Sequence, residues 1–244
     1  MAGYYLSVLI HFFGPVQEVF SYSAKGFEER RIYSQPLAGS TVKVEVPTHY
    51  TSVLKMADRI GARCCVNVIG SVGERWDGAY ADNFTKKTWD RAVRMIQEVI
   101  DEAKPQNTYF TIEPMPWMYP TSPEEYIKMI EDVKRDRFAV HMDVINMINT
   151  PERYFFPQPF LEQCFDLLGE YIKSCHIKDV LLGQEFTFNL RECACGEGTF
   201  CLERYAELAS KTDPDMPMII EHLHSDEDYV NSVRYVKERL KVYL

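Results

Sequence analysis

The sequence predicts an α/β protein in which helices cover a largely parallel sheet. Apolar runs of strand length alternate with amphipathic helical stretches along nearly all of the 244 residues. These runs are continuously apolar, which is typical of parallel strands buried on both faces. An open doubly wound sheet and a closed barrel both fit, but no glycine-rich dinucleotide or P-loop turn follows the first run, which weakens the open-sheet alternative. No linker divides the chain, so residues 1–244 are predicted to form a single domain.

The N-terminal elements are predicted from apolar runs and one helix stop. Residues 4–13 form the first predicted strand, and a long polar loop follows. A helix is predicted over residues 48–60 and ends at Gly61, in the position that glycine usually takes after a helix. Residues 64–69 form the next strand. In the helix predicted over residues 87–104, apolar residues recur at three- and four-residue steps and mark one buried face.

The C-terminal elements continue the alternation. A strand at residues 108–113 precedes a helix with an explicit start, because Ser122 can cap it, Pro123 suits the first helical position and Glu125 can complete a capping box. The further predicted strands are residues 138–143, 174–179 and 218–222, and the further predicted helices are residues 159–171, 202–211 and 225–244. The last helix is predicted to bury four apolar residues, Tyr229, Val233, Val236 and Leu240.

Composition excludes several classes of protein. The chain is 46% hydrophobic and 26% charged, as in an average soluble globular protein. No run reaches the ~18 apolar residues of a membrane span, and no basic patch precedes an apolar run at the N-terminus, so neither a span nor a secretory signal is predicted. The net charge of −9 disfavours nucleic acid, whose binding relies on Lys and Arg. We expect neither a membrane nor a nucleic acid as partner.

The seven cysteines predict reduced thiols. Their number is odd, and several lie inside apolar runs, where a thiol behaves as a small hydrophobe. Cys193 and Cys195 are too close together for ordinary zinc spacing, and no second pair resembles them. A cytoplasmic protein is therefore expected.

Four ionisable residues come at the ends of four predicted strands: Glu113, Asp143, His176 and Glu221. Their spacings of 30, 33 and 45 residues each correspond to about one strand–helix unit. Because the carboxyl ends of parallel strands share one rim, these side chains are expected to converge. A single such residue could be a solvated strand end, but three carboxylates cannot crowd together without a cation. Three carboxylate oxygens and one imidazole nitrogen suit Mn²⁺, Mg²⁺, Co²⁺ or Zn²⁺.

The same region resembles a known family. The chain is similar to the xylose isomerase-like TIM-barrel superfamily, in its sugar phosphate isomerase/epimerase branch with the ketose 3-epimerases and inosose dehydratases. The matching motifs are T-I-E-P at 111–114, H-M-D at 141–143, C-H-I-K-D at 175–179, C-G-E-G at 195–198 and I-I-E-H at 219–222. The resemblance implies a barrel whose last four strands carry the ligands Glu113, Asp143, His176 and Glu221 of one divalent ion, with Mn²⁺ as first expectation.

The resemblance also implies a chemistry. The ion polarises a sugar carbonyl, and Glu113 and Glu221, on opposite faces of the substrate, act as the acid–base pair that forms an enediolate. Return of the proton gives an epimer or an isomer, whereas loss of a β-leaving group gives a lyase, as in inosose dehydratases and in relatives that cleave C-glycosides. The substrate is expected to be a small sugar or keto-sugar.

This sequence departs from the family in three respects. Counting back from Glu113, residues 4–13 would be the third barrel strand, so the first two strand–helix units are missing. The segment 14–47, another chain, or residues outside this sequence must then cover the gap, and a homo-oligomer or hetero-complex is expected. Family members often carry a histidine at Asn146, and ketose epimerases an arginine at Leu182. Both changes fall where substrate oxygens would be held.

Five further residues are substrate-binding candidates: His11, Trp117, Asn146, Lys178 and His224. Trp117 could stack on a sugar, and so could Trp76, but packing explains both equally well. Lys178 could orient substrate or form an ion pair at the rim with Asp179. His141 is expected to be a hydrogen-bonded core residue.

Two other functions remain as alternatives. An AP endonuclease-like nuclease would need more than six histidines and a basic groove, which the charge of −9 argues against. A non-catalytic subunit that only binds a partner would have no need of clustered carboxylates.

Overall fold

The N-terminal part of the described chain is built from short antiparallel strand pairs. The structure is a computed structural model, and it describes residues 19–24, 29–31, 39–43, 49–54, 57–58 and 61–240. The predicted strand at residues 4–13, with His11, lies outside these residues. The pairs consist of four strands, with β1 joined to β4 and β2 to β3: β1 (Val19–Ala24), β2 (Glu29–Arg31), β3 (Thr41–Lys43) and β4 (His49–Leu54).

The helix predicted over residues 48–60 is wrong at residues 49–54. Residues 49–54 form β4, whose backbone pairs antiparallel with β1, and this tertiary pairing overrides the local pattern. Only Ala57 and Asp58 are described as helical within that range. The stop at Gly61 is confirmed, because its φ is 73° and the amide of Ala62 donates to the carbonyl of Ala57 at 2.9 Å.

A parallel sheet of five strands forms the centre of the molecule. The strands of this sheet, in spatial and chain order, are β5 (Cys64–Asn67), β6 (Tyr109–Ile112), β7 (Phe138–Met142), β8 (Ile172–Ile177) and β11 (Met218–Ile220). An antiparallel hairpin of β9 (Asp179–Leu182) and β10 (Leu190–Cys193) is inserted after β8. This is the arrangement of a partial α/β barrel. Within the described residues, β5 and β11 are each paired on one side only.

Helices follow the strands of the sheet. They are α1 (Lys86–Ala103), α2 (Pro123–Val133), α3 (Pro151–Phe155), α4 (Pro157–Leu168), α5 (Leu202–Thr212) and α6 (Asp226–Tyr235), which a π-helical turn Val236–Leu240 extends. Ser122 caps α2 as predicted, accepting the amide of Glu125 at 3.3 Å. The carboxylate of Glu125 reaches the amide of Thr121 rather than that of Ser122, so the capping box is shifted by one residue.

The core lies between the sheet and these helices. Every residue of β7 is buried, as expected for a parallel strand covered on both faces. The core side chains that are fully buried include Ile96, Ile112, Met129, Val140 and Leu161.

The prediction for the last helix is wrong at two positions. Tyr229 and Val233 are 37% and 41% exposed, whereas Leu240 is buried. The helix turns Ser232 inward instead, and its hydroxyl accepts the amide of Cys195 at 2.9 Å. A buried hydrogen bond to a loop therefore sets the orientation of α6.

Candidate metal centre

Four side chains meet at the carboxyl edge of the sheet. Glu113 follows β6, Asp143 follows β7, His176 lies near the end of β8, and Glu221 follows β11. One potential ligand atom from each lies within 4.8 Å of all the others. Because the strands are parallel and neighbouring, their ends reach the same rim. The convergence expected from the sequence is thus present.

His176 is the point on which the carboxylates converge. Its Nδ1 lies 2.9 Å from Glu221 Oε1, 3.3 Å from Glu113 Oε1 and 3.5 Å from Asp143 Oδ2. One ring nitrogen carries at most one proton and cannot donate to three acceptors at once. Three oxygens around one nitrogen are instead the donor set of a divalent cation.

Lys178 supplies positive charge beside this cluster. Its Nζ lies 2.7 Å from Asp143 Oδ2 and 2.6 Å from Glu221 Oε1, and its side chain is 1% exposed. These two carboxylate oxygens are buried and accept no well-directed hydrogen bond from the described residues. Both oxygens therefore keep lone pairs available for a cation.

The ionisation of the cluster follows from burial and mutual charge. Burial raises the pKa of Glu113, and the charges of Asp143 and Glu221 raise it further. Burial opposes ionisation of Asp143 and Glu221 as well, but their contacts with His176 and the charge of Lys178 lower their pKa. Burial lowers the pKa of His176, yet contacts with the three carboxylates raise it to about 11. A proton on His176 thus partly balances the carboxylates, a role that a metal ion fills more completely.

Asn146 orients the carboxylate of Glu113. Its Nδ2 donates to Glu113 Oε1 at 3.1 Å and to the Pro114 carbonyl at 3.0 Å. The backbone amide of Asn146 donates to Asp143 Oδ1 at 3.2 Å, and Lys178 Nζ donates to Asn146 Oδ1 at 3.4 Å. The residue in the place of the family histidine therefore belongs to the site.

His141 is a core residue, as expected. It is completely buried, and its Nδ1 lies 2.6 Å from the Ser174 hydroxyl. Its ring packs edge-on against that of His176, with 4.0 Å between centroids. Burial, aided by the nearby His176 charge, lowers its pKa to about 3, so it stays neutral.

Asp179 organises a loop rather than pairing with Lys178. Its carboxylate accepts the backbone amides of Val180, Gly196, Gly198 and Phe200. Gly196 has a φ of 92°, so this turn uses the conformational freedom of glycine. The alternative of an ion pair at the rim is wrong for Asp179.

The other candidates lie outside the cluster of four. Trp117 is half-exposed, and its carbonyl accepts Asn83 Nδ2 at 2.8 Å. Trp76 is exposed too. His224 is exposed and has no hydrogen bond or ion pair with the described part of the chain.

Two residues at the site were missed from the sequence. Glu192 Oε1 lies 3.3 Å from Lys178 Nζ and 3.1 Å from His222 Nδ1. His222 Nε2 lies 3.6 Å from Glu221 Oε2. Glu192 belongs to the inserted hairpin rather than to a barrel strand, so strand-end counting could not find it. The sequence feature that could have identified His222 was its position directly after Glu221.

A family comparison covers most of the chain. The profile of the family described as xylose isomerase-like TIM barrel matches residues 43–239. The chain belongs to the xylose isomerase-like TIM-barrel family. This assignment confirms the predicted fold and the resemblance to this family.

Solved structures of this barrel family resemble the chain. A xylose isomerase-like TIM barrel protein from Mycobacterium smegmatis in complex with magnesium has a TM-score of 0.57 and 16% identity, over 78% of this chain and 67% of that one. An L-ribulose 3-epimerase has a TM-score of 0.57 and 12% identity, over 78% and 65%. The probable 3-DHS dehydratase AsbF of Bacillus anthracis has a TM-score of 0.56 and 12% identity, over 76% and 67%. The chain thus spans about two thirds of the length of these barrels.

No curated protein matches the sequence. Among the described residues, no helix combines the length and apolarity needed to span a membrane.

Proposed function

We propose that this barrel is a divalent-metal-dependent sugar isomerase or epimerase. Glu113, Asp143, His176 and Glu221 would hold one ion, with Mn²⁺ first and Mg²⁺, Co²⁺ or Zn²⁺ as alternatives. The observation that carries the proposal is the convergence of three carboxylates on the single Nδ1 of His176. When bound, the ion supplies Lewis-acid polarisation of a substrate carbonyl.

Glu113 and Glu221 are the proposed acid–base pair. They follow β6 and β11, which are separated by β7 and β8 in the sheet, so their carboxylates approach the centre from different sides. One carboxylate removes the proton from the carbon next to the carbonyl, and the other returns a proton to the opposite face.

Substrate contacts are proposed for the polar residues around the cluster. Asn146 and Lys178 already contact the carboxylates and lie where sugar oxygens would approach. Trp117 and His224 are proposed to meet the distal part of the sugar, since both are exposed. His11 remains a proposal from the sequence alone.

A lyase is the second candidate function. Proton removal next to a carbonyl also permits expulsion of a β-leaving group, so the same residues could catalyse elimination on a keto-sugar or keto-glycoside. The likeness to a probable dehydratase favours keeping this alternative.

We further propose an oligomer or hetero-complex. Val66 on β5 and Ile219 on β11 are exposed, and each strand is paired on one side only within the described residues. Parallel strands are normally covered, so a second chain is expected against them. Light scattering at micromolar concentration should show more than one chain per particle, and a folded monomer would contradict this.

A cytoplasmic location is proposed from the thiols. All seven cysteines are unpaired, and burial raises the pKa of those at positions 164 and 175 to about 12, which keeps these thiols inert. Unpaired cysteines are typical of a reducing compartment.

The function is tested by incubating the Mn²⁺-loaded protein with neutral keto-sugars in D₂O. Exchange of the C–H next to the carbonyl, followed by NMR, reports the shared first step. Product identity then separates epimer, isomer and elimination product. Absence of exchange with every keto-sugar would contradict the proposal.

A further inference from the structure

Glu192 and His222 border the metal centre without a role in the chemistry proposed above. Glu192 Oε1 accepts from His222 Nδ1 at 3.1 Å, and both approach Lys178 Nζ, at 3.3 and 3.4 Å. The side chains of Glu192 and His222 are 33% and 52% exposed. The pair therefore touches the buried cluster on one side and solvent on the other.

The backbone of His222 is held in an unusual conformation. Its φ is 59°, in the left-handed region that side chains other than glycine, asparagine and aspartate seldom adopt. This conformation accompanies an imidazole whose Nδ1 binds Glu192 and whose Nε2 lies 3.6 Å from Glu221 Oε2. Such strain persists where surrounding contacts fix a functional geometry.

The three cationic side chains that the described residues place around this pair and the metal centre are already in contact with a carboxylate. Lys178, His176 and His222 all contact the carboxylate of Glu221, at 2.6, 2.9 and 3.6 Å. Phosphate and carboxylate groups are normally held by unpaired Arg or Lys. The carboxylate of Glu192 adds a further, partly exposed negative charge beside Lys178 and His222.

We propose that the Glu192–His222 pair determines substrate specificity by selecting a neutral polyhydroxy ketone over phosphorylated or carboxylated sugars. A carboxylate accepts hydrogen bonds from neighbouring hydroxyls, and an imidazole edge complements it. Repulsion of the wrong ligand is as effective a source of specificity as attraction of the right one. The inference rests on the proposed function for the location of the sugar at this rim.

The test compares binding of neutral ketoses with that of their terminal phosphates. The Mg²⁺-loaded protein is examined by saturation-transfer NMR with a panel of ketopentoses and ketohexoses, for example D-fructose, and with D-fructose 6-phosphate. The wild type should bind at least one neutral ketose and not its phosphate. Glu192→Gln, which can still accept a hydrogen bond from His222, should lower the affinity for the neutral ketose roughly tenfold, as expected for loss of one charged hydrogen bond. It should also reduce the discrimination between the ketose and its phosphate.

Two variants make the result specific. Glu185→Gln removes a charge from an exposed position of the same hairpin and should leave both affinities unchanged. His222→Asn should lower the affinity for the neutral ketose as Glu192→Gln does, and asparagine tolerates the left-handed backbone at this position. Equal binding of phosphate and ketose, binding of no neutral ketose, or unchanged discrimination in Glu192→Gln would overturn the proposal. Selective binding without any C–H exchange in D₂O would instead contradict the proposed function alone.

Discussion

Lys178 Nζ lies 2.6 Å from Glu221 Oε1 across two neighbouring strands of the sheet. The strand register explains this contact, because Ile177 is paired with Ile220 and the next residues along both strands are Lys178 and Glu221. A fully buried ammonium is thereby fixed against a carboxylate of the metal centre.

Replacement of Lys178 should leave the negative charges of the metal centre without their buried counter-charge. Lys178→Met keeps the length of the side chain but leaves Asp143 and Glu221 facing each other without it, which should cost about 3–5 kcal/mol of unfolding free energy without metal. Mn²⁺ should restore part of the loss, because it supplies charge between the carboxylates. Urea unfolding with and without Mn²⁺ measures both effects.

The control is Lys86→Met, which removes an exposed ion pair with Asp90 and should change stability by less than about 1 kcal/mol. Equal effects of the two variants would contradict the role given to Lys178.

The loop bound by Asp179 should be intolerant of a side chain at Gly198. A Cβ there would collide with the Asp179 carboxylate and lie 2.6 Å from the Val180 carbonyl. We expect Gly198→Ala to destabilise the protein by about 1–3 kcal/mol in thermal unfolding. At Gly169 the backbone is helical and the nearest atom lies at 3.8 Å, so Gly169→Ala should have little effect. Similar melting temperatures for both variants would contradict this prediction and show that the loop accommodates the added methyl group.

Asp58 should contribute pH-dependent stability. Its Oδ1 accepts the amides of Gln106, Asn107 and Thr108 at 3.1, 2.6 and 2.8 Å. Burial raises its pKa, but these hydrogen bonds outweigh burial and lower the pKa overall. Because the folded pKa is the lower one, the stabilisation is present above the unfolded pKa and is lost as pH falls through the folded value.

Asp58→Asn should therefore lower the urea midpoint at pH 7, by an amount equivalent to about 1–3 kcal/mol. The difference from the wild type should shrink as the pH falls below about 4. A stability difference between Asp58→Asn and the wild type that does not change with pH would contradict stabilisation by hydrogen bonds to a charged Asp58.

Glu221 and Asp143 should respond differently to loss of charge. Glu221→Gln can still offer an oxygen to a metal but cannot carry a proton, so solvent-deuterium exchange should fall ~10²–10⁴-fold. Asp143→Asn should act mainly through metal affinity, and excess Mn²⁺ should restore some exchange. Full exchange in Glu221→Gln would transfer the proton-carrying role to Glu113 or to a histidine at the rim.

The sequence was sufficient where one physical rule governs the outcome. Parallel strands in register end together, and this rule located Glu113, Asp143, His176 and Glu221. It could not locate Glu192, because the hairpin carrying it departs from the strand–helix alternation. Residues 49–54 and Tyr229 were mispredicted because a strand partner and a buried serine contact, both remote in sequence, decide their environment.

Equilibrium Mn²⁺ binding tests the central claim most directly. Chelator-treated protein is titrated with Mn²⁺, and the free ion is followed by electron paramagnetic resonance, for the wild type and for Asp143→Ala. The account predicts one saturable site per chain in the wild type and its loss, or a large rise in Kd, in the variant. No saturable binding, or the same binding in both proteins, would contradict a metal centre at these four strand ends.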